Sequence, residues 1–363
     1  MLFVASAVHG LQVPMVKDHV TRSMLSLDSE DNLMDAARLL KRSRITGAPV
    51  YEDNALDGIL SRNDLLRAVV SIPSDAEASD FEQQLKVART KEVWRVCTSK
   101  PETVSPDASM IEASQILAEN KINRLMVKSK ASPVLGIISS TDVVFAFLGC
   151  GGEEGCSTEG GAADDEPIDW NEHVYVGREE AAGFEDEDDD GQCNAFTAAE
   201  CVREHMATEL ITVSPDDNLE DAARVLKEAH VTGAPVMQGS KVVGVLSRND
   251  LLKALAKLPA DDGDFAKHAD ELRERPVRDV MTQEPQTILP SISMLDAGKI
   301  MARDRLNRLL VTNESGELCG IVSSTDVVFV LLGGCTGDDD LDDEECSVAL
   351  RSSDRTGHMG TTY

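Results

Sequence analysis

The segment SRNDLL at residues 61–66 recurs without change at residues 247–252, which is 186 positions later in a chain of 363 residues. Self-similarity at a fixed spacing marks duplicated structural units, so the sequence predicts two halves built on one plan. Two further segments recur at nearly the same spacing: TGAPV at 46–50 and 232–236, and SSTDVVF at 139–145 and 323–329.

Each half divides once more, because SRND at 61–64 and SSTD at 139–142 close similar patterns 78 positions apart. In the first repeat, the apolar and small residues from Leu33 to Leu40 have the i, i+3, i+4, i+7 spacing of an amphipathic helix. Two short apolar strands follow, and a final helix begins at the Ser-x-x-Asp motif. The order β-α-β-β-α is therefore predicted four times, in an α/β (α+β) protein.

The stretch between the two halves differs sharply in composition from the repeats. From Glu153 to Asp190 it holds sixteen acidic residues and one basic residue, Arg178. Such a composition buries too little apolar surface to offset the entropy of ordering, so it predicts a disordered acidic linker, and the acidic C-terminal tail is predicted to be disordered as well. The predicted boundaries are repeat 1 at 16–70, a spacer at 71–92, repeat 2 at 93–148, the linker at 149–196, repeat 3 at 197–258, a spacer at 259–275, repeat 4 at 276–333 and the tail at 334–363.

The formal net charge of −30 excludes two classes of partner. Nucleic-acid binding requires a basic surface that displaces counterions, and anionic membranes repel an acidic protein. No apolar run approaches the roughly 20 residues of a membrane span. We therefore expect a soluble intracellular protein that binds neither nucleic acid nor membranes.

The Ser-x-x-Asp motif admits two interpretations. One is a capping box, in which the serine hydroxyl satisfies a free helix N–H and the acid reaches back to the serine backbone. The other is a ligand site: a helix N-terminus and a serine hydroxyl suit a phosphate, and a carboxylate accepts hydrogen bonds from both hydroxyls of a ribose. The four copies lie at 61–64, 139–142, 247–250 and 323–326.

Together with this motif, Thr103-Val104 and Thr212-Val213 after the entry turns and Gly-Ala-Pro-Val before a strand resemble the CBS domain, named for cystathionine β-synthase. Two such domains resemble a Bateman module, so the chain resembles two pseudo-symmetric modules in tandem, over 16–148 and 197–333. Within the family, the closest resemblance is to plant organellar CBS-pair proteins.

The resemblance implies two clefts per module, which in many members bind adenosine nucleotides. The carried-over ribose candidates are Asp64, Asp142, Asp250 and Asp326. The phosphate candidates are Ser61, Ser139, Ser247 and Ser323, helped by Thr141 and Thr325. The adenine candidates are Ser26, Ala48, Thr103, Leu125, Thr212, Ala234, Thr287 and Leu309, with Ser26 a departure from the threonine of the other repeats.

Four arginines depart from the plain pattern. Arg124 and Arg308 stand where repeats 1 and 3 have Gly47 and Gly233. They could reach a phosphate through a bidentate contact or cap a surface acid. An acidic protein binds a polyphosphate only by concentrating positive charge locally, and two arginines that directly follow serines join them as phosphate candidates: Arg62 and Arg248.

Three other features carry less weight. Asp186-x-Asp188-x-Asp190-Gly191 begins like a calcium loop, but Thr197 stands at its twelfth position, so a solvated acidic run is the preferred interpretation. The histidines show no zinc-like spacing, and no metal site is expected. Carboxylates near four cysteines disfavour the thiolate, so we expect inert thiols rather than redox sensors at Cys150, Cys156, Cys335 and Cys346.

The sequence favours a non-catalytic regulatory and energy-sensing protein that needs no cofactor and binds AMP, ADP or ATP, with S-adenosylmethionine ranked behind them. The alternatives are a ligand-free scaffold and an enzyme that uses the clefts for chemistry. The resemblance also implies a regulated partner, such as a thioredoxin-type protein, and a plastid or other organelle stroma beside the cytoplasm as compartment. We expect the two modules to pair within one chain, with a homodimer as the other arrangement.

Overall fold

The computed structural model describes residues 13–53, 55–72, 78–129, 134–148, 201–259 and 265–333. The predicted linker and tail lie outside these residues, together with the calcium-like run at 186–191 and the four cysteines Cys150, Cys156, Cys335 and Cys346. None of the helices in the described ranges is both long enough and apolar enough to cross a membrane.

The first module has the predicted order of elements. Its elements are β1 (Leu27–Asp28), α1 (Leu33–Arg42), β2 (Gly47–Glu52), β3 (Ala55–Ser61), α2 (Arg62–Val70), α3 (Ala78–Arg89), β4 (Thr98–Ser99), β5 (Thr103–Val104), α4 (Met110–Asn120), β6 (Arg124–Lys128), β7 (Val134–Ser139) and α5 (Ser140–Leu148). The predicted spacer is largely helical, since α3 lies within it.

The second module repeats this order, except that the entering strand of repeat 3 is a single parallel bridge between Val213 and Val236. Its elements are α6 (Val202–His205), α7 (Leu219–Glu228), β8 (Gly233–Gln238), β9 (Lys241–Ser247), α8 (Arg248–Leu255), α9 (Phe265–Arg273), β10 (Thr282–Gln283), β11 (Thr287–Ile288), α10 (Met294–Asp304), β12 (Arg308–Thr312), β13 (Leu318–Ser323) and α11 (Ser324–Val328). One π-helical turn, Phe329–Gly333, extends α11.

The predicted helical stripes are buried. In α1, the Asn32 side chain accepts a hydrogen bond from the Asp35 backbone N–H and caps the helix, and the stripe from Leu33 to Leu40 is at most 3% exposed. In α10, a Cβ added to Gly298 would lie 2.7 Å from Cγ1 of Val327. The small residues therefore allow the neighbouring helices to approach closely.

The segment that enters each repeat of the first module pairs with the sheet of the other repeat. Thr21, near the start of repeat 1, exchanges two backbone hydrogen bonds of 3.0 Å with Ile137 in β7. Strand β4, near the start of repeat 2, pairs antiparallel with β3 of repeat 1. This exchange ties the two repeats into one module, and Ala207 and β10 make the equivalent pairings in the second module.

Two hydrophobic cores each span both modules. One joins repeat 1 to repeat 4, where α2 packs on α10 and α11, and the other joins repeat 2 to repeat 3, where α8 packs on α4 and α5. The two modules thus pack on each other through helices within the chain. This packing brings the four strand-to-helix junctions toward a common centre, where residues of all four repeats contact one another.

Candidate functional site

In all four Ser-x-x-Asp motifs the aspartate accepts hydrogen bonds from its own serine at the start of a helix, and the first, third and fourth motifs form a full capping box. At the third motif, the backbone N–H and Oγ of Ser247 donate to Oδ2 of Asp250 at 3.0 Å and 2.6 Å. The same pair of donors reaches Oδ2 of Asp64, Asp142 and Asp326. The structure therefore supports the capping interpretation, and it leaves Oδ1 as the oxygen that each aspartate can offer to a ligand.

The partners of Oδ1 differ between repeats. Asp64 Oδ1 holds the Arg67 guanidinium and lies 3.4 Å from Oγ1 of Thr98. Asp250 Oδ1 has a longer contact with its basic residue, at 3.6 Å to Nζ of Lys253, and a similar threonine contact, at 3.3 Å to Oγ1 of Thr282. The third motif thus holds its free carboxylate oxygen less tightly than the first.

A cavity of about 160 Å³ opens beside the third motif, between repeats 3 and 4. Its apolar wall includes Val245, Leu306 and Leu310, and its polar wall includes Ser247, Asp250, Thr232 and Thr282. One acidic residue, Asp250, faces five basic residues that line the same cavity: Arg62, Arg248, Lys253, Arg305 and Arg308. A strongly acidic protein therefore concentrates positive charge at this place, and one of the arginines comes from the other module.

Arg124 and Arg308 do not cap surface acids. Arg124 lies over Gly47 of the neighbouring repeat: its Nη1 donates to the Thr46 carbonyl at 3.1 Å, and a Cβ on Gly47 would come within 2.8 Å of that nitrogen. Arg308 lies over Gly233 in the same way. The glycine of one repeat therefore makes room for the arginine of its partner repeat.

Hydrogen bonds from the four predicted phosphate-binding arginines link the four repeats in a closed cycle. We call these four residues the arginine ring (Arg62, Arg124, Arg248 and Arg308). Every repeat supplies one arginine and one threonine, and each arginine donates to the hydroxyl of a threonine in another repeat. The pairs are Arg62 with Thr325, Arg308 with Thr232, Arg248 with Thr141, and Arg124 with Thr46. The first and third of these pairs join the two modules.

Burial and mutual repulsion act on the ring. Burial, followed by the charge of Arg248, lowers the pKa of Arg62 to about 10. Burial, followed by the charges of Arg248 and Arg62, lowers the pKa of Arg124 to about 9. Burial followed by the charges of Arg62 and Arg248 lowers the pKa of Arg308 to about 10. All three groups stay charged at pH 7. Burial also raises the pKa of Asp326, against the hydrogen bonds from Ser323 and the charge of Arg62.

The adenine candidates fall into two groups. Four are buried in the hydrophobic cores and offer a ligand mainly backbone atoms: Ala48, Leu125, Ala234 and Leu309. Four are exposed ahead of the first helix of their repeat: Ser26, Thr103, Thr212 and Thr287. Their adenine-binding role stays a prediction. Strand alternation could have indicated that Leu310, rather than Leu309, lines the cavity.

The threonine partners Thr46 and Thr232 were missed by sequence reasoning, although both stand in the TGAPV segment that revealed the repeats. Lys253 and Thr282, beside Asp250, were missed as well. Among the described residues, no three His, Cys, Asp or Glu side chains gather so that they could hold a metal ion.

A family model described as the CBS domain matches the chain at residues 16–71, 91–149, 202–257 and 277–333. An inosine-5'-monophosphate dehydrogenase from Korarchaeum cryptofilum is 36% identical over 138 residues, which are 38% of this chain and 26% of that enzyme. The uncharacterized protein MJ1225 from Methanocaldococcus jannaschii is 25% identical over 256 residues, covering 69% of this chain and 72% of that protein. The chain spans 26% to 42% of the length of the first three curated relatives it matches.

Among solved structures, the CBS-pair protein CBSX2 from Arabidopsis thaliana is 30% identical, with 37% of this chain and 95% of that chain covered and a TM-score of 0.32. A structure of CBSX2 in complex with AMP is also 30% identical, over 36% of this chain and 96% of that chain, with a TM-score of 0.31. The four matches of the family model cover more than half of the sequence and coincide with its four repeats. This chain therefore belongs to the CBS-domain family.

Proposed function

We propose that this protein is a regulatory protein without catalytic activity that binds an adenosine nucleotide, AMP, ADP or ATP, in the cavity beside Ser247 and Asp250. One observation carries the proposal: a single carboxylate, an apolar wall and five basic side chains converge on one cavity between paired CBS repeats. These are the three kinds of surface that a ribose, a base and a phosphate group require.

Asp250 suits the ribose. Its Oδ2 is fixed by Ser247, and its Oδ1 has only the contacts of 3.6 Å to Lys253 and 3.3 Å to Thr282. Two ribose hydroxyls would replace these longer contacts with charge-assisted hydrogen bonds to a buried carboxylate. The capping contacts with Ser247 would hold the carboxylate in place.

The phosphate group suits the basic side of the cavity. Helix α8 begins at Arg248, so the positive end of its dipole acts together with the guanidinium groups that line the cavity. Arg308 and Arg62 offer planar donor pairs that match phosphate oxygens. The base would then lie toward the apolar wall at Val245, Leu306 and Leu310.

The equivalent cleft at Asp64 is proposed to fill second. There, the Arg67 guanidinium donates a hydrogen bond to Oδ1 of Asp64. A ribose at Asp64 has to displace this guanidinium, whereas a ribose at Asp250 displaces only the more distant ammonium group of Lys253. We expect one or two of the four clefts to be occupied at millimolar nucleotide, with the cleft at Asp250 first.

Nucleotide binding would regulate through the packing of the modules. The cavity is formed by repeats 3 and 4 together with Arg62 of repeat 1, so a ligand there stabilises one arrangement of all three. A ligand shifts a conformational equilibrium only by its differential affinity for the two states. A partner that recognises one arrangement, such as a thioredoxin-type protein, would sense the nucleotide in this way, and binding of thioredoxin with and without AMP tests that step.

Isothermal titration with AMP, ADP and ATP tests the site. Asp250→Ala should raise the Kd for the preferred nucleotide roughly tenfold or more, because two charge-assisted hydrogen bonds are lost. The control is Glu271→Gln, which removes one negative charge from the exposed side of α9. The melting temperature of each variant with nucleotide is compared with that of the same variant without nucleotide. This comparison is needed because loss of the capping contact between Ser247 and Asp250 itself costs about 1 kcal/mol of stability.

Three results would contradict the proposal. Wild-type affinity in Asp250→Ala would place the ribose elsewhere. If no adenosine compound binds the wild-type protein, the ligand-free scaffold becomes the better account. Turnover of a nucleotide by the pure protein, lost in Asp250→Ala, would indicate an enzyme.

A further inference from the structure

The four arginines of the arginine ring are partly buried, and no opposite charge contacts their guanidinium groups among the described residues. No salt bridge in the described part of the chain involves Arg62, Arg124, Arg248 or Arg308; the acceptors that they contact are the hydroxyl groups of four threonines and the Thr46 carbonyl. Burial of a charge is costly unless the charge is paired. Four like charges gathered in this way indicate that an anion completes the site.

The ring also has donors to spare. Within the described residues, the Nε atoms of Arg62 and Arg248 are buried and have no hydrogen-bond partner. A guanidinium offers five N–H donors, and a buried donor without an acceptor costs free energy. An anion with several oxygens would provide hydrogen-bond acceptors for these unpaired Nε–H groups.

The nearby carboxylates do not fill this need. Each motif aspartate directs Oδ2 to its own serine, and two of them also hold a separate surface cation: Asp64 with Arg67 and Asp250 with Lys253. Besides burial, the charges of Arg62 and Arg248 help to lower the pKa values of Arg124 and Arg308, although the charges of nearby motif aspartates act in the opposite direction. The cavity of about 160 Å³ reaches Arg62, Arg248 and Arg308, so a small anion has space beside three of the four groups.

We propose that the arginine ring binds one free inorganic phosphoanion, such as pyrophosphate, without any attached nucleoside. Arginine is suited to this role because its planar donors bind phosphate oxygens in pairs. The ring draws one arginine from each repeat, whereas each Ser-x-x-Asp motif belongs to a single repeat. A single central anion therefore fits the fourfold arrangement of the donors.

Such an anion would also strengthen the contact between the modules. Arg62 and Arg248 each donate to a threonine of the other module, so an anion that both arginines bind would lie across the boundary. It would compete with the phosphate group of a bound nucleotide for Arg62 and Arg308, but it does not use the aspartate that the ribose requires.

The test is titration of the full chain with pyrophosphate, followed by calorimetry and by the melting temperature, at constant ionic strength. We expect saturable binding near one pyrophosphate per chain. Arg62→Gln and Arg308→Gln should each weaken it about tenfold or more, since each removes a charged donor pair. Arg303→Gln is the matched control, because it removes an exposed guanidinium that pairs with Asp304, and it should bind like the wild type.

Asp250→Ala separates this proposal from the nucleotide site, since it should keep pyrophosphate binding while it loses AMP. Arg62→Lys keeps the positive charge but lacks the planar donors, so it should bind pyrophosphate with an intermediate affinity. This variant keeps the proposal testable if the glutamine variants fail to fold. Absence of pyrophosphate binding to the wild type would overturn the inference and leave the nucleotide proposal standing.

Two other results would overturn it as well. If a phosphate group binds only as part of a nucleotide and its binding requires Asp250, the ring binds the phosphate of the nucleotide rather than a free anion. If sulfate at equal ionic strength raises the melting temperature as much, and Arg303→Gln weakens the effect like Arg62→Gln, the ring has no specific anion site.

Discussion

Odd and even repeats share one fold and one Ser-x-x-Asp motif, but they place their arginines differently. Repeats 1 and 3 have a glycine where the second strand begins and an arginine after the motif serine, at Gly47 and Arg62 in the first repeat. Repeats 2 and 4 have the arginine on the strand and a serine after the motif serine, at Arg124 and Ser140 in the second. The two kinds are complementary, because each glycine accommodates the arginine of its partner repeat.

This difference shows that the arginine ring is a feature of the whole chain rather than of a single repeat. A chain of four identical repeats would either crowd four arginines at the strand starts or leave four empty glycine positions. Alternation gives one partly buried arginine and one threonine acceptor per repeat, and together these form the arginine ring. The arrangement requires both modules, since Arg62 and Arg248 reach across the boundary.

The largest effect should come from filling the glycine of an odd repeat. In Gly233→Ala the new Cβ would lie 2.6 Å from the Leu246 carbonyl oxygen and would meet the Arg308 guanidinium. We expect a loss of about 1–3 kcal/mol in the free energy of unfolding, because overpacking forces the backbone to shift. Chemical denaturation measures it.

The double variant Gly233→Ala with Arg308→Ala serves as the control. It should lose less than the sum of the two single changes, since the guanidinium no longer opposes the new methyl group. Strict additivity would show that the glycine and the arginine are not complementary.

A smaller effect should follow from exchanging the basic residues that hold the motif aspartates. Lys253→Arg should weaken AMP binding at Asp250 by about two- to fivefold, because a guanidinium holds Oδ1 more firmly than the ammonium group at 3.6 Å. The reciprocal change, Arg67→Lys, should release Asp64 and raise the number of AMP molecules bound per chain. Calorimetry gives both quantities, and unchanged binding in both variants would remove the distinction between the two clefts.

Repeat 4 offers the smallest test, which concerns the dependence of stability on pH. Burial raises the pKa of Asp326, so the folded state binds this proton more tightly than the unfolded chain does. The resulting stability is present below the unfolded pKa and is lost as the pH rises through the folded pKa. Asp326→Asn lacks this loss, so its stability relative to the wild type should increase as the pH rises above about 4, the usual range of an unfolded aspartate. Thermal unfolding at several pH values measures this trend, and Glu271→Gln serves as the control for loss of one negative charge. A stability difference that falls as the pH rises would contradict the raised pKa of Asp326.

The local features could be predicted from the sequence because they depend on residues close together in the chain. The buried stripe of α1, the β-α-β-β-α order and the capping contact of Ser61 with Asp64 all arise within a few residues. Arg62 and Arg248 could be chosen as phosphate candidates because they directly follow a motif serine, and their role as anion ligands stays a prediction.

The partners of those arginines could not be predicted in the same way. Arg62 and Thr325 are 263 positions apart, and Arg124 and Thr46 are 78 apart. Their contacts depend on which repeats meet in space: repeat 1 meets repeat 4 across the two modules and repeat 2 within the first module. The Ala48 and Leu309 side chains illustrate the same limit, since their burial is decided by the packing of neighbouring helices on the strands.

A crystal structure of the full chain with AMP would test the central claim most directly. The account predicts AMP between repeats 3 and 4, with both ribose hydroxyls on Oδ1 of Asp250, the base against Leu306 and Leu310, and the phosphate directed toward Arg308. AMP bound away from Asp250, or with its phosphate remote from the arginine ring, would contradict it.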